Sequence, residues 1–390
     1  MGFPVRRQRR DLRGAAAATR AASVGGCTVL REPRLSVIVL SYNRIEAMRA
    51  CLQSVLALDY PDVEVVVVDN ASTNDAPDMI AREFPSVRLY RSPENLGICR
   101  GRNAAARFAT GSYLWVLDND AEIVDRDAAR RLIALLESDP TLGVIGGEAA
   151  LDAQGRVIGT KDLRMTLNGM VRGTMILDRP DWELTDTNML EGCNMFMRRE
   201  LFVRLGGFDP GCLFHWDDND FCFRVNKLGL RNAVVGRSPV VHHYVGEARK
   251  LMPYRNGRSR MYFVLKNYPL WRIALLPLLD LAFLLNPLNA TRFVDKARRL
   301  AFGAKSNVVS LRGGDRQRPG RAADWPGAFR RAVAYAETIL AGYLYLLPTA
   351  RAAFRARRRA PDSLGEIDVS GLTPSGGVDD TVRWPEAVNG

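Results

Sequence analysis

The chain has 390 residues, of which 47% are hydrophobic, and 55 lysines and arginines stand against 43 aspartates and glutamates, for a formal charge of +12. That length allows one large domain with added elements, or two domains, and the surplus of positive charge points to an anionic partner: a nucleotide, a phospholipid surface or nucleic acid. The arginines crowd the flanks (Arg6, Arg7, Arg9, Arg10, Arg13 and Arg20; Arg351, Arg355, Arg357, Arg358 and Arg359), and no zinc-finger, helix-turn-helix or RNA-recognition pattern occurs, which argues against a nucleic-acid groove.

Six cysteines without C-x-x-C spacing read as reduced thiols of a cytosolic protein. Residues 1–33 form a basic arm without the apolar stretch of a secretory signal, and are expected to be disordered. The ordered body begins at Arg34. A β-rich run, Leu35–Leu40, exits through Ser41-Tyr42-Asn43-Arg44. A helix follows, with apolar positions Met48, Cys51, Leu52, Val55 and Leu56. A second strand, Val63–Val68, runs into Asp69-Asn70-Ala71-Ser72-Thr73. Next come a short helix (Asp75–Phe84), a strand (Val87–Tyr90), a loop at Asn95-Leu96-Gly97 and a helix (Arg102–Ala109). The buried strand Tyr113–Leu117 then ends abruptly in Asp118-Asn119-Asp120. This alternation predicts a doubly wound α/β sheet with right-handed crossovers, and ligands of such sheets collect beyond the carboxyl ends of the strands.

Two carboxylates spaced D-x-D can share a hard divalent cation that bridges to a diphosphate, although acidic residues at strand ends are often only turn-formers. A helix (Ala128–Glu137) and a strand (Leu142–Ile145) follow, and residues 150–190 read as hairpins and loops shaping a pocket. Gly192–Arg199 is a strand entering a helix. A second acidic cluster, Asp217-Asp218-Asn219-Asp220, opens a helix through Leu228, where capping alone could account for the charges. A strand at Val240–His243 ends in two histidines, and Arg255–Tyr268 is helical. Beyond it, Trp271–Leu288 is strongly apolar but interrupted by Pro277 and Asp280, too short to span a bilayer. A second apolar stretch, Val333–Leu347, leads into the Arg351–Arg359 cluster, the pattern of a basic amphipathic element at an anionic membrane surface. Residues 361–390 read as a disordered tail.

Seven segments in order resemble family 2 glycosyltransferases of the GT-A fold, of the rhamnosyl- and galactofuranosyltransferase-like kind. They are SVIVLSYNR (Ser36–Arg44), VVVVDNAST (Val65–Thr73), ENLGICRGRN (Glu94–Asn103), WVLDND (Trp115–Asp120), GCNMFMRRELFVRLGGFDP (Gly192–Pro210), WDDNDFCFR (Trp216–Arg224) and VVHHYVG (Val240–Gly246). The resemblance implies a GT-A domain over 34–268 followed by a helical apolar and basic extension over 269–360. It implies a donor pocket lined by Ser41, Asn43, Asp69, Asn95 and Asp118. The residues around Asp69 also suit a plain Asx-turn. Arg100 and Arg102 would reach the donor's diphosphate from a loop. Asp118, Asp120 and a histidine, His242 rather than His243, would hold Mn²⁺ or Mg²⁺; a structurally satisfied buried histidine is the other reading.

Asp218 would be the base that deprotonates the acceptor hydroxyl, with Asp217 and Asp220 orienting or supporting. The reaction implied is a single inverting displacement from a UDP- or dTDP-sugar onto a glycan or lipid-linked acceptor of the cell envelope, at the cytoplasmic face of the membrane and without nucleic acid. The chain departs from the family pattern at Ile98, Cys99 and Arg100, where glycines are common, and in its Asp-Asp rather than Glu-Asp pair. Two rivals are a sugar nucleotidyltransferase, which should carry G-x-G-x-R where this chain has SYNR, and a membrane-bound scaffold that has lost catalysis.

Overall fold

The computed structural model describes residues 32–177, 179–212, 216–243, 252–285, 325–358, 369 and 372–375. The expected basic arm (except Glu32 and Pro33) and most of the expected tail lie outside the described residues. The described residues from Arg34 onward form one unit.

Its first half is the expected alternation: β1 (Leu35–Ser41), α1 (Ile45–Leu56), β2 (Val63–Asp69), α2 (Ala76–Glu83), β3 (Arg88–Arg91), α3 (Gly97–Phe108) and β4 (Tyr113–Asp118). The four strands are parallel, in the order β3-β2-β1-β4. Their unbroken apolar runs follow from cover on both faces. Ile38, Val66, Val68, Leu114 and Val116 enter one core, while Val37, Val39, Val65, Val67, Trp115 and Leu117 enter the other. Pairing in register sets Ser41 opposite Asp69 and Leu40 opposite Asp118, so the polar exits of three strands lie level at one edge.

The chain continues through β5 (Ala121–Ile123), α4 (Ala128–Ser138), β6 (Leu142–Gly146), β7 (Ala149–Leu151), β8 (Val157–Met165), β9 (Val171–Leu177), β10 (Leu184–Thr187) and β11 (Asn194–Arg198). Strands β7, β8 and β9 form a separate antiparallel sheet, the hairpins expected over 150–190. β11 inserts antiparallel between β4 and β6, so the sheet is mainly rather than wholly parallel. Then come α5 (Arg199–Arg204), α6 (Asp217–Lys227), β12 (Arg231–Val235) and β13 (Val240–His242). β13 pairs with β5 as a two-stranded ribbon that sets His242 opposite Ala121.

The described C-terminal part holds α7 (Met252–Asn267), α8 (Leu270–Ala274), α9 (Leu276–Leu285), α10 (Trp325–Leu344) and α11 (Leu346–Arg358). The apolar stretch from Trp271 is thus two short helices, the second starting just before Pro277, where the missing N–H is tolerated in a first turn. Among the described residues no helix is long and apolar enough to cross a membrane. The expectation of a disordered tail fails at Thr373–Ser375 (β14), which pairs antiparallel with the edge strand β3.

Candidate active site

The level edge of β1, β2 and β4 is cross-braced by short polar side chains. The Asp69 carboxylate accepts the Ser72 N–H (3.0 Å) and hydroxyl (2.5 Å), the Asx-turn geometry. Asn43 donates its N–H to the Ser72 hydroxyl (3.0 Å) and accepts the Thr73 N–H (2.7 Å). Asn43 and Ala71 both have positive φ, 53° and 61°. Non-glycine residues hold such φ values only where the surroundings over-determine them, commonly at ligand sites. Asn95 accepts from Asn70 Nδ2 (3.1 Å) and from the Gly97 N–H (2.9 Å), tying the next loop to the same edge. Ser41 Oγ is buried without a partner among the described residues.

Asp118, Asp120 and His242 offer ligand atoms within 4.8 Å of one another. His242 Nε2 lies 3.0 Å from Asp120 Oδ1 and 3.7 Å from Asp118 Oδ2. The ribbon places it there, because His242 pairs beside Ala121, next to Asp120. His243 faces the other way, 2.9 Å from Glu122. The donor set fits a divalent cation. Two carboxylates suit Mg²⁺ or Mn²⁺, and the imidazole among them favours Mn²⁺.

Behind His242 lies a network that sequence reasoning missed. Its Nδ1 is 3.6 Å from Glu148 Oε2, and Glu148 is paired with Lys161, with Glu191 and Cys193 alongside. Burial opposes the charge on Glu148, but His242, Glu191 and Lys161 outweigh it and hold its pKa down at about 2. Burial and the adjacent Glu148 push Glu191 well up, so the pair keeps one proton and one charge. Burial likewise opposes a charge on His242, yet Cys193, Asp120 and Glu148 together raise its pKa. No local motif marks these residues, because they come from three separate segments.

Arg102, expected both as the first residue of a helix and on the loop before it, lies well inside α3, since the Asn70 and Asn95 amides bond Leu96 and Gly97 and the helix starts at Gly97. Its guanidinium is buried, donating to Asp217 Oδ2 (2.8 Å), to the Gly192 carbonyl (3.1 Å) and to Asp118. It therefore bridges the two acidic clusters, while Arg100 is exposed on the same helix. A methyl group on Gly192 would come within 2.7 Å of Arg102 Nη1, so glycine is required for that approach.

Asp218 receives the N–H groups of Gly192 (3.0 Å) and Asn219 (2.7 Å). Burial and the neighbouring Asp217 push its pKa up to about 7 against Arg102 and those two donors. Asp220 is fully buried and bonds Lys266, Asn267 and Arg224. It fastens α6 to α7. Arg44, which follows Asn43, pairs with Asp120.

Residues 36–206 match the family model described as glycosyl transferase family 2. Over 224 residues, 54% of this chain, it is 28% identical to the O-antigen biosynthesis protein RfbC of Myxococcus xanthus, covering 17% of that protein. Over 95 residues, 24% of this chain, it is 35% identical to the glycosyltransferase GlyA of Streptococcus pneumoniae, covering 14% of it. The chain thus spans well under half the length of these curated relatives. A solved mannosyltransferase, PcManGT of Pyrobaculum calidifontis in complex with GDP-Man and Mn²⁺, is similar at 21% identity and a TM-score of 0.49, over 81% of this chain and 88% of that one.

Proposed function

We propose that the chain, whose residues 36–206 match the glycosyl transferase family 2 model, is a transferase of that kind and moves a sugar, with inversion, from a nucleoside diphosphate donor to a hydroxyl of a glycan or lipid-linked acceptor in cell-envelope polysaccharide synthesis. The observation that carries this reading is the pairing of a cation-binding triad, Asp118, Asp120 and His242, with a base candidate, Asp218, through the single buried guanidinium of Arg102. The cell-envelope setting is supported by the name of the Myxococcus relative.

In this reading Asp118, Asp120 and His242 would hold Mn²⁺ or Mg²⁺, the imidazole favouring Mn²⁺, and Glu148 would steady the imidazole from its Nδ1 side. When bound, the ion neutralises charge on the departing diphosphate. Ser41, Asn43, Asp69 and Asn95 line the nucleoside side. Asp69 has lone pairs beyond the two used by Ser72 and accepts the imide N–H of a uracil or thymine base. Asp218, partly open to solvent and with its pKa near neutrality, takes the acceptor's proton as its oxygen attacks the anomeric carbon. Asp217 and Arg102 act as positioning residues, tying the helix that carries Asp218 to Asp118 of the triad. The hydroxyl oxygen bonds to the anomeric carbon, the nucleoside diphosphate leaves with the bonding pair, and the proton stays on Asp218.

Calorimetric titration with UDP-, dTDP- and GDP-sugars, with and without Mn²⁺, tests the reading. Expected is Mn²⁺-dependent binding of one uracil- or thymine-based class. Binding indifferent to Mn²⁺, or to Asp120→Asn, refutes it.

A further inference from the structure

Helix α9 is built inside out. Its buried face carries Leu276, Phe283 and a charge, Asp280, which pairs with Arg260 and accepts from Asn168 Nδ2 (2.7 Å) and the Tyr343 hydroxyl (2.9 Å). Its exposed face is leucine: Leu278 is 64% exposed, and Leu281 and Leu284 follow it outward. A water-facing helix shows the opposite arrangement.

Helix α10, which meets α9 through the edge-to-face pair Phe283–Tyr335, repeats the pattern. Its outward stripe, at spacings of four, three and four, is Val333, Glu337, Leu340 and Leu344, the last 74% exposed. The stripe runs on into α11, where Leu347 (83% exposed), Arg351 and Phe354 share one face with Arg355 beside it. Half of the large hydrophobic side chains left exposed among the described residues lie on these three helices. Contiguous exposed apolar surface on this scale marks an interaction site.

We propose that the outward faces of α9, α10 and α11 form a docking surface for a bilayer containing anionic lipid, with the leucines entering the acyl boundary and Arg351 and Arg355 meeting the headgroups. The charge on the surface selects this occupant. Its exposed charges are arginines at one end and Glu337, the arrangement of a helix lying in a membrane interface. None of the described helices meets the length and hydropathy of a span, so the association is at the surface. The inference does not rest on the transferase reading.

The test is co-sedimentation of the full chain with phosphatidylcholine vesicles, with and without phosphatidylglycerol, alongside its mass in solution by light scattering. Expected is sedimentation with the anionic vesicles. Each arginine near anionic lipid is worth about 5-fold in partitioning, so Arg351→Glu with Arg355→Glu lowers it by about 30-fold or more. Leu278→Asp with Leu281→Asp abolishes it while donor binding is unchanged. Wild-type protein left in the supernatant with both vesicle types overturns the proposal. So does a stable dimer that the leucine substitutions convert to monomer, which would assign the face to a second copy. The arginine pair is exposed and tests the proposal even if the leucine variant folds poorly.

Discussion

Replacing Asp218 by Asn removes one ionisation and keeps the shape, so it separates the catalytic role of the carboxylate from its effect on stability. In the fold Asp218 holds its proton up to about pH 7, against an ordinary aspartate value of 3.8, because burial and Asp217 disfavour its charge. The folded state binds that proton more tightly than the unfolded chain does. Stability from this group is therefore greatest below about pH 4 and falls as pH rises toward 7. A shift of about three units corresponds to on the order of 4 kcal/mol. Asp218 keeps part of its surface open, and solvent screening lowers that to about 2–3 kcal/mol. Asn carries no such charge, so the stability of Asp218→Asn relative to wild type should rise by this amount between pH 4 and pH 8, read from urea melts of the free protein. Over the same range wild-type kcat/KM should climb tenfold per pH unit up to about pH 7 and then level. The variant should lose about 10²–10⁴ in kcat with donor affinity unchanged. A stability difference independent of pH, or turnover within tenfold of wild type, refutes the assignment.

Arg102→Met leaves Asp217 buried without its partner and should cost about 3–5 kcal/mol of stability in urea unfolding. Gly192→Ala pushes against Arg102 Nη1; a displacement near 1 Å between base and cation should lower kcat about 100-fold, measured as nucleotide release, with donor Kd little changed. Glu148→Gln loosens the hold on His242 Nδ1, and Mn²⁺ affinity by electron paramagnetic resonance should fall about 10- to 100-fold.

The parallel half of the sheet was legible because each strand is a short apolar run with a polar exit, and burial on both faces permits nothing else. Asp118 and Asp120 were visible for the same reason, as a strand end that turns acidic. The antiparallel insertion of β11 was not, because an apolar run says nothing about direction. Nor was the partner of β13: His242 reaches Asp120 through a ribbon of three residues a side, between segments some 120 positions apart. The helix expected from Arg102 starts earlier, at Gly97. In the fold Gly97 takes φ of 75° and opens the helix once the two asparagine amides have fixed the turn before it. Glu148, Glu191, Lys161 and Cys193 carry no local signal, since only tertiary pairing makes four ordinary residues into a support for one imidazole.

Both carboxylates of the proposed cation triad already carry a guanidinium, and the two pairs are not equivalent. Arg102 is buried and held additionally by Asp217 and the Gly192 carbonyl, so it has nowhere to go. Arg44 has one-third of its side chain exposed, has Asp120 as its ion-pair partner, and follows the positive-φ turn at Asn43. Loading of the triad should therefore cost the Arg44–Asp120 pair and leave Arg102 in place. A partly exposed pair is worth up to about 1 kcal/mol, so Arg44→Ala should tighten Mn²⁺ binding by up to about 5-fold without donor. Once released, Arg44 lies beside the nucleoside edge, and a donor diphosphate could recapture it as a cation. The same variant should then weaken donor binding in saturating Mn²⁺. Opposite signs for the two affinities are the signature of a residue that exchanges one anion for another, and equal weakening of both would show that Arg44 only props up Asp120.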